Sequence, residues 1–158
     1  MQHATRPEIK TLANLESAFA GESMAHIKYR YFAKIAREMG DELTARTFEE
    51  TANQEVMHAF GHLDLLYPKA TMTPAKALQM AIDGETYEFE IMYPNFVETA
   101  EFEGNLVFAN EANMQIAESK EHAEQFAAVL SKAQKRFTAL AKVEKRHAEA
   151  YQQVLESM

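Results

Sequence analysis

ETANQEVMHA, residues 50–59, carries a Glu-x-x-His tetrad, Glu55 to His58, and KVEKRHAEAY, residues 142–151, carries a second, Glu144 to His147. Around the first tetrad an apolar stripe of helical period runs Phe48, Ala52, Glu55, His58, Ala59, Leu63, Leu66; around the second it runs Phe137, Leu140, Ala141, Glu144, His147, Ala148, Tyr151. Both tetrads are therefore expected to point into a core. Two further segments set carboxylates on such stripes at spacings of three and four: Leu15, Phe19, Glu22, Tyr29, Ala33, and Leu78, Ile82, Glu85, Glu88, Phe89, Met92. Several ionised carboxylates in one interior, without partners, would outweigh the stability of an ordinary domain. Cations are expected among them. One Glu from each of two helices and Glu-x-x-His from each of two others is the ligand arrangement of a dinuclear carboxylate site in a four-helix bundle.

The composition fits that reading. With 158 residues, 47% of them hydrophobic, and no break in composition, the chain is expected to form one domain over 1–158. Five Gly and four Pro leave long stretches of period 3.6, and the fold class is read as all-α. A formal charge of −8, without clustered Lys and Arg, speaks against nucleic acid as a partner. No Cys occurs, which removes disulfides, thiolate catalysis and Cys-ligated iron, so any metal is held by oxygen and nitrogen. The opening MQHATRPEIK has no apolar signal core and no apolar run approaches the ~18 residues of a membrane span, so neither secretion nor a membrane is expected and a cytoplasmic location is the default.

The helices can be placed by their stop signals. The first is expected from near Pro7 to Gly40, the second from Asp41 to Leu66, and the stretch PKATMTP is the long crossover to a third starting near Pro74. Pro94 falls inside the third pattern and is expected to kink it; Gly104-Asn105 is the next stop. Ser131 with Gln134 has the form of a capping box, which predicts a last helix from about Lys132 to Ser157. Glu22 and Glu55 are 33 residues apart, whereas Glu85 and Glu144 are 59 apart, so an insertion is expected at about 105–130. Its own helical pattern suits either a protruding hairpin or a single helix that carries the fourth helix to another subunit. KEHAEQF, residues 120–126, echoes KRHAEAY, residues 145–151. The second copy is taken as the ligand helix because Glu144 and His147 have the i, i+3 relation, while Ser119 stands at that spacing before His122. His3 and His122 are read as solvent-facing, and His26 and His62 as neighbours of the site or surface residues.

Oxygen and imidazole donors suit iron or manganese, with zinc a third candidate. Glu22, Glu55, His58, Glu85, Glu144 and His147 complete a six-ligand dinuclear set, and Glu88 adds a seventh donor whose charge favours a ferric pair. AFAGESMAHIKYRYFA (18–33), ETANQEVMHA, GETYEFEIMYP (84–94) and KVEKRHAEAY together resemble the four helix motifs of the rubrerythrin family. The resemblance covers nearly the whole chain outside 105–130. It implies a ferritin-like bundle with two non-haem iron ions that reduces hydrogen peroxide, metal ligands at Glu22, Glu55, His58, Glu85, Glu88, Glu144 and His147, and a ligand exchange between Glu88 and His58 on redox change. It further implies that Tyr29 hydrogen-bonds the site and that Tyr93 occupies the matching Tyr-Pro motif.

Two departures from the family stand out. Full-length members carry a Cys-rich rubredoxin-like domain that delivers electrons, so here an external donor, rubredoxin-like or a flavoprotein, is expected. The insertion is the other, and a homodimer is expected whichever form it takes, with exchange of the fourth helix as one arrangement. Two alternative functions share the same ligands: a ferroxidase or iron-storage protein, and an oxygen-activating di-iron enzyme.

Overall fold

The computed structural model describes residues 10–157; Pro7 and His3 lie outside them. Among the described residues all regular structure is helical, as the 3.6-residue periodicity requires. The chain divides into two compact units, one ending at Met72 and the other beginning at Thr73.

In the first unit α1 (Thr11–Glu38) and α2 (Glu42–Leu66) form a helical hairpin. Gly40 makes the turn with φ +85°, a conformation costly for any residue bearing a Cβ. Asp41 caps α2, accepting from the Thr44 amide at 3.0 Å and the Thr44 hydroxyl at 2.7 Å, and these two bonds hold its carboxyl below the usual range. Arg37, in the last turn of α1, reaches Glu42 at 3.1 Å and Glu49 at 2.8 Å, and its donated hydrogen bonds lower both carboxyls. The hairpin closes along a seam of alanines: Ala45, Ala52 and Ala59, seven residues apart on α2, are buried, as is Ala33 on α1. Such small side chains let helix axes approach closely.

In the second unit α3 (Pro74–Tyr87) starts with Thr73 accepting from the Lys76 amide at 3.2 Å and with Pro74 at its first position. A π-helical segment, Glu88–Met92, follows, and then α4 (Tyr93–Phe102). Pro94 lacks the N–H that a continuing α-helix would donate, and the Tyr93 amide instead donates five residues back to Glu88. The kink expected at Pro94 thus takes the form of a π segment just before it. Gly104 (φ +75°) turns the chain, and Asn105 caps α5 (Leu106–Glu156) by accepting from the Phe108 amide at 3.2 Å.

α5 is one helix of 51 residues, and this corrects the boundary expected at Ser131–Lys132. A capping box acts only where the chain enters a helix from outside. Here neither Gly nor Pro occurs from Leu106 onward, and Ala, Glu, Lys and Gln carry the helix straight through Ser131. The single-helix form of the insertion is therefore the one observed, and the hairpin is not. α5 packs against α3, the π segment and α4 through its first half, where Ala109, Ala112, Ser119 and Ala123 are buried. Its second half is exposed, with Phe137 and Tyr151 at 71% and 70%. Every buried residue among those described is alanine, with Ser119 the one exception.

Candidate metal centre

Glu22 of α1 and Glu55 and His58 of α2 come together in the first unit: one donor atom from each lies within 4.8 Å of the others. Glu55 lies one turn from Ala52 and from Ala59 of the alanine seam, and Glu22 of α1 stands beside it. His58 Nδ1 is 2.8 Å from Glu55 Oε2, the i, i+3 neighbour. A carboxylate only accepts, so Nδ1 is assigned the proton, and Nε2 of the neutral ring keeps the lone pair that a metal requires. The Glu55 side chain is mostly buried, at 16% exposure, while His58 stands at 59%. Among the described residues no Lys or Arg pairs with Glu22 or Glu55, so their charge is uncompensated by protein cations. Nearby, His26 Nδ1 donates to the Ala52 carbonyl at 2.8 Å and ties α1 to α2 one turn from Glu22. Tyr29 lies half-buried on the same face, its ring 5.8 Å from that of Phe48. His62 is also half-buried.

In the second unit Glu85 lies in the last turn of α3 and Glu88 opens the π segment, both half-buried and both turned toward the first half of α5. The Ser119 hydroxyl donates to Glu88 Oε2 at 3.0 Å, and His122 Nδ1 is 3.4 Å from Glu85 Oε2. His122 is thus a partner of a site carboxylate, although half of its side chain is exposed. His122 is exposed, as its solvent-facing reading has it, and its contact with Glu85 is the addition; the echo between residues 120–126 and 145–151 is the sequence signal for that contact. Tyr93 is half-buried, and burial raises its phenol above the ordinary value, with Glu88, Glu111, Glu85 and Glu118 adding to the effect, so it holds its proton at neutral pH. Its ring meets Phe96 edge-on at 5.9 Å.

Glu144 and His147 sit on the exposed half of α5, 3.8 Å from each other. An unbroken helix separates them from Ser119 and His122 by 25 residues, about 37 Å at 1.5 Å per residue. They do not meet Glu85 or Glu88 of their own chain.

A set of carboxylate oxygens and imidazole nitrogens, without sulfur, fits iron, manganese or zinc, and the triad Glu22, Glu55, His58 supplies one neutral and two anionic donors. The residues of the triad therefore fit a metal ion held by carboxylates and an imidazole.

The family model described as Rubrerythrin matches residues 13–130, a span that includes Ser119 and His122 and ends before Glu144. The chain is 42% identical over 107 residues to nigerythrin of Nitratidesulfovibrio vulgaris, covering 60% of this chain and 53% of that protein. It is 34% identical over 136 residues to rubrerythrin-1 of Clostridium acetobutylicum, covering 77% and 70%. It spans about half of the length of nigerythrin and of the rubrerythrin of Porphyromonas gingivalis, 53% in each case. A structure of nigerythrin in a fully reduced, all-ferrous state aligns with 85% of this chain and 73% of its own at 32% identity and a TM-score of 0.41.

Proposed function

Since the chain belongs to the rubrerythrin family of ferritin-like di-iron proteins, we propose that it is a non-haem di-iron peroxidase that reduces hydrogen peroxide to water in the cytoplasm. The observation that carries the reading is the triad Glu22, Glu55, His58, brought together by two helices with no protein cation among the described residues to balance it. Iron bound there would supply two electrons for cleavage of the O–O bond, so that one peroxide and two protons would give two waters. Manganese or zinc at one or both positions is the alternative occupancy.

The chain's own residues hold and tune that pair. Glu22, Glu55, Glu85, Glu88 and Glu144 are the carboxylate donors, and His58 and His147 the neutral ones. His58 and Glu88 would be the pair that exchanges with the redox state of bound metal, since a neutral imidazole would suit the reduced form and an extra carboxylate the oxidised one. Tyr29 and Tyr93 carry phenol groups on the same helices, and Tyr93 keeps its proton for donation. Glu144 and His147 are supplied by a second copy of the chain, because 37 Å of helix keeps them from the carboxylates of their own α3. No Cys-ligated relay lies within these 158 residues, and a rubredoxin-like or flavoprotein donor is the electron source of this reading.

Anaerobic loading with ferrous ion followed by stopped-flow oxidation tests the reading. The reduced protein is expected to react much faster with hydrogen peroxide than with dioxygen, and water to be the only product. The opposite preference would favour a ferroxidase or oxygen-activating enzyme.

A further inference from the structure

Ser119 is the one polar residue buried among those described, at 3% exposure. Its hydroxyl behaves differently from five other hydroxyls within the helices of this chain. Ser23, Thr47, Thr51, Thr99 and Thr138 each donate to the carbonyl four residues back in their own helix, the usual outlet for such a group. Ser119 instead leaves its helix and donates to Glu88 Oε2 of the π segment at 3.0 Å. Ala112 and Ala123 on either side bring the helices close enough for so short a side chain to reach. Water does not compete at a buried donor, and a hydrogen bond to an ionised carboxylate is stronger than one to a carbonyl.

We propose that Ser119 is the positioning residue for Glu88: it fixes one carboxylate oxygen and thereby sets the direction in which the other is presented to a metal. The proposal rests on the reading of Glu88 as a ligand. The π segment gives it added weight. Glu88 is the first residue of that segment, where a widened turn loosens the helical register. A carboxylate set there needs an outside partner to hold its rotamer, and Ser119 supplies one. Glu85, one turn earlier, is met in the same way by His122, but through an exposed imidazole and at the longer distance of 3.4 Å.

The test is cobalt(II) binding by the full chain, followed by the ligand-field absorption band and by competition titration. Ser119→Ala is expected to weaken binding at the Glu88 position roughly tenfold, the lower end of what loss of a group orienting a ligand costs, and to alter the band. Ser119→Thr, which keeps the hydroxyl, is expected to restore both. In a Glu88→Gln background Ser119→Ala is expected to have no further effect on affinity. Circular dichroism and thermal melting of each variant separate a folding defect from a change at the site. Unchanged affinity and band in folded Ser119→Ala would overturn the proposal, as would an equal loss in the Glu88→Gln background, while the di-iron reading stood. A wild-type chain that binds no cobalt and no ferrous ion would overturn both.

Discussion

His122 Nδ1 and Glu85 Oε2 stand 3.4 Å apart across the α3–α5 interface, so the first half of α5 faces the carboxylates of α3. The same helix thus presents Ser119 and His122 in the position where the sequence pattern called for a glutamate and a histidine. An imidazole beside a ligating carboxylate orients it and limits its escape to solvent. His122→Ala is expected to weaken metal binding roughly tenfold, measured by competition titration, with the helical content unchanged. If affinity is unaffected, the imidazole is a surface group and the pairing with Glu85 has no bearing on the site.

Glu55 is much less exposed than His58, and it pairs with His58 as well as standing beside Glu22. The iron-loaded protein is expected to hold about two metals per chain, as a carboxylate-bridged pair requires. Glu55→Ala removes a donor and frees His58, and the stoichiometry measured by elemental analysis is expected to fall to about one or fewer. Retention of two metals by that variant would exclude Glu55 as a ligand.

The turn between α1 and α2 makes a separate prediction about acid. Asp41, Glu42 and Glu49 all have carboxyls lowered in the folded chain, Asp41 by Thr44 and the two glutamates by Arg37. A lowered folded-state value means that the unfolded chain binds the proton more readily. The stabilisation is therefore present above the unfolded values of about 4 and is lost as pH falls below them through the folded ones. Thermal melting between pH 6 and pH 2 is expected to show the hairpin weakening only at the acid end of that range. Arg37→Gln is expected to flatten that dependence, and an unchanged acid profile in the variant would remove the Arg37 clamp from the account. All these groups are exposed, so the effect is small and is screened by salt.

Much of this architecture could be read from single residues with a fixed backbone role. Gly40, Asp41, Thr73 with Pro74, and Gly104 with Asn105 act locally, through a left-handed φ or a side-chain cap, and each ends or starts a helix where its chemistry demands. Glu22, Glu55 and His58 were legible because they share one hairpin. The course of α5 was not. Stripes drawn through Phe137, Leu140 and Tyr151 follow large apolar residues, yet the helices close on alanines, whose weak hydrophobic signal leaves no such stripe. Ala109, Ala112 and Ala123 fix the register that brings Ser119 to Glu88, and Ser131 with Gln134 copies a cap inside a run of strong helix formers.

The exposed half of α5 leads to the last prediction. Phe137, Tyr151, Val154 and Leu155 are each more than half exposed there, beside Glu144 and His147. That half repeats the first: Lys120, His122, Ala123, Phe126, Val129 and Leu130 are matched 25 residues later by Lys145, His147, Ala148, Tyr151, Val154 and Leu155. On the proposed reading a second copy of the chain would cover this face. Glu22→Ala and Glu144→Ala chains, inactive separately, are to be unfolded and reassembled together. In an exchanged heterodimer one centre carries both lesions and the other neither. Random pairing makes half of the dimers mixed, so about a quarter of the wild-type metal content and peroxide activity is expected to return. Native mass spectrometry establishes that heterodimers have formed. No recovery in their presence would exclude the exchange, and a Glu144→Ala chain that is active by itself would mean that each centre is built within one chain, with His122 rather than His147 as the histidine facing α3.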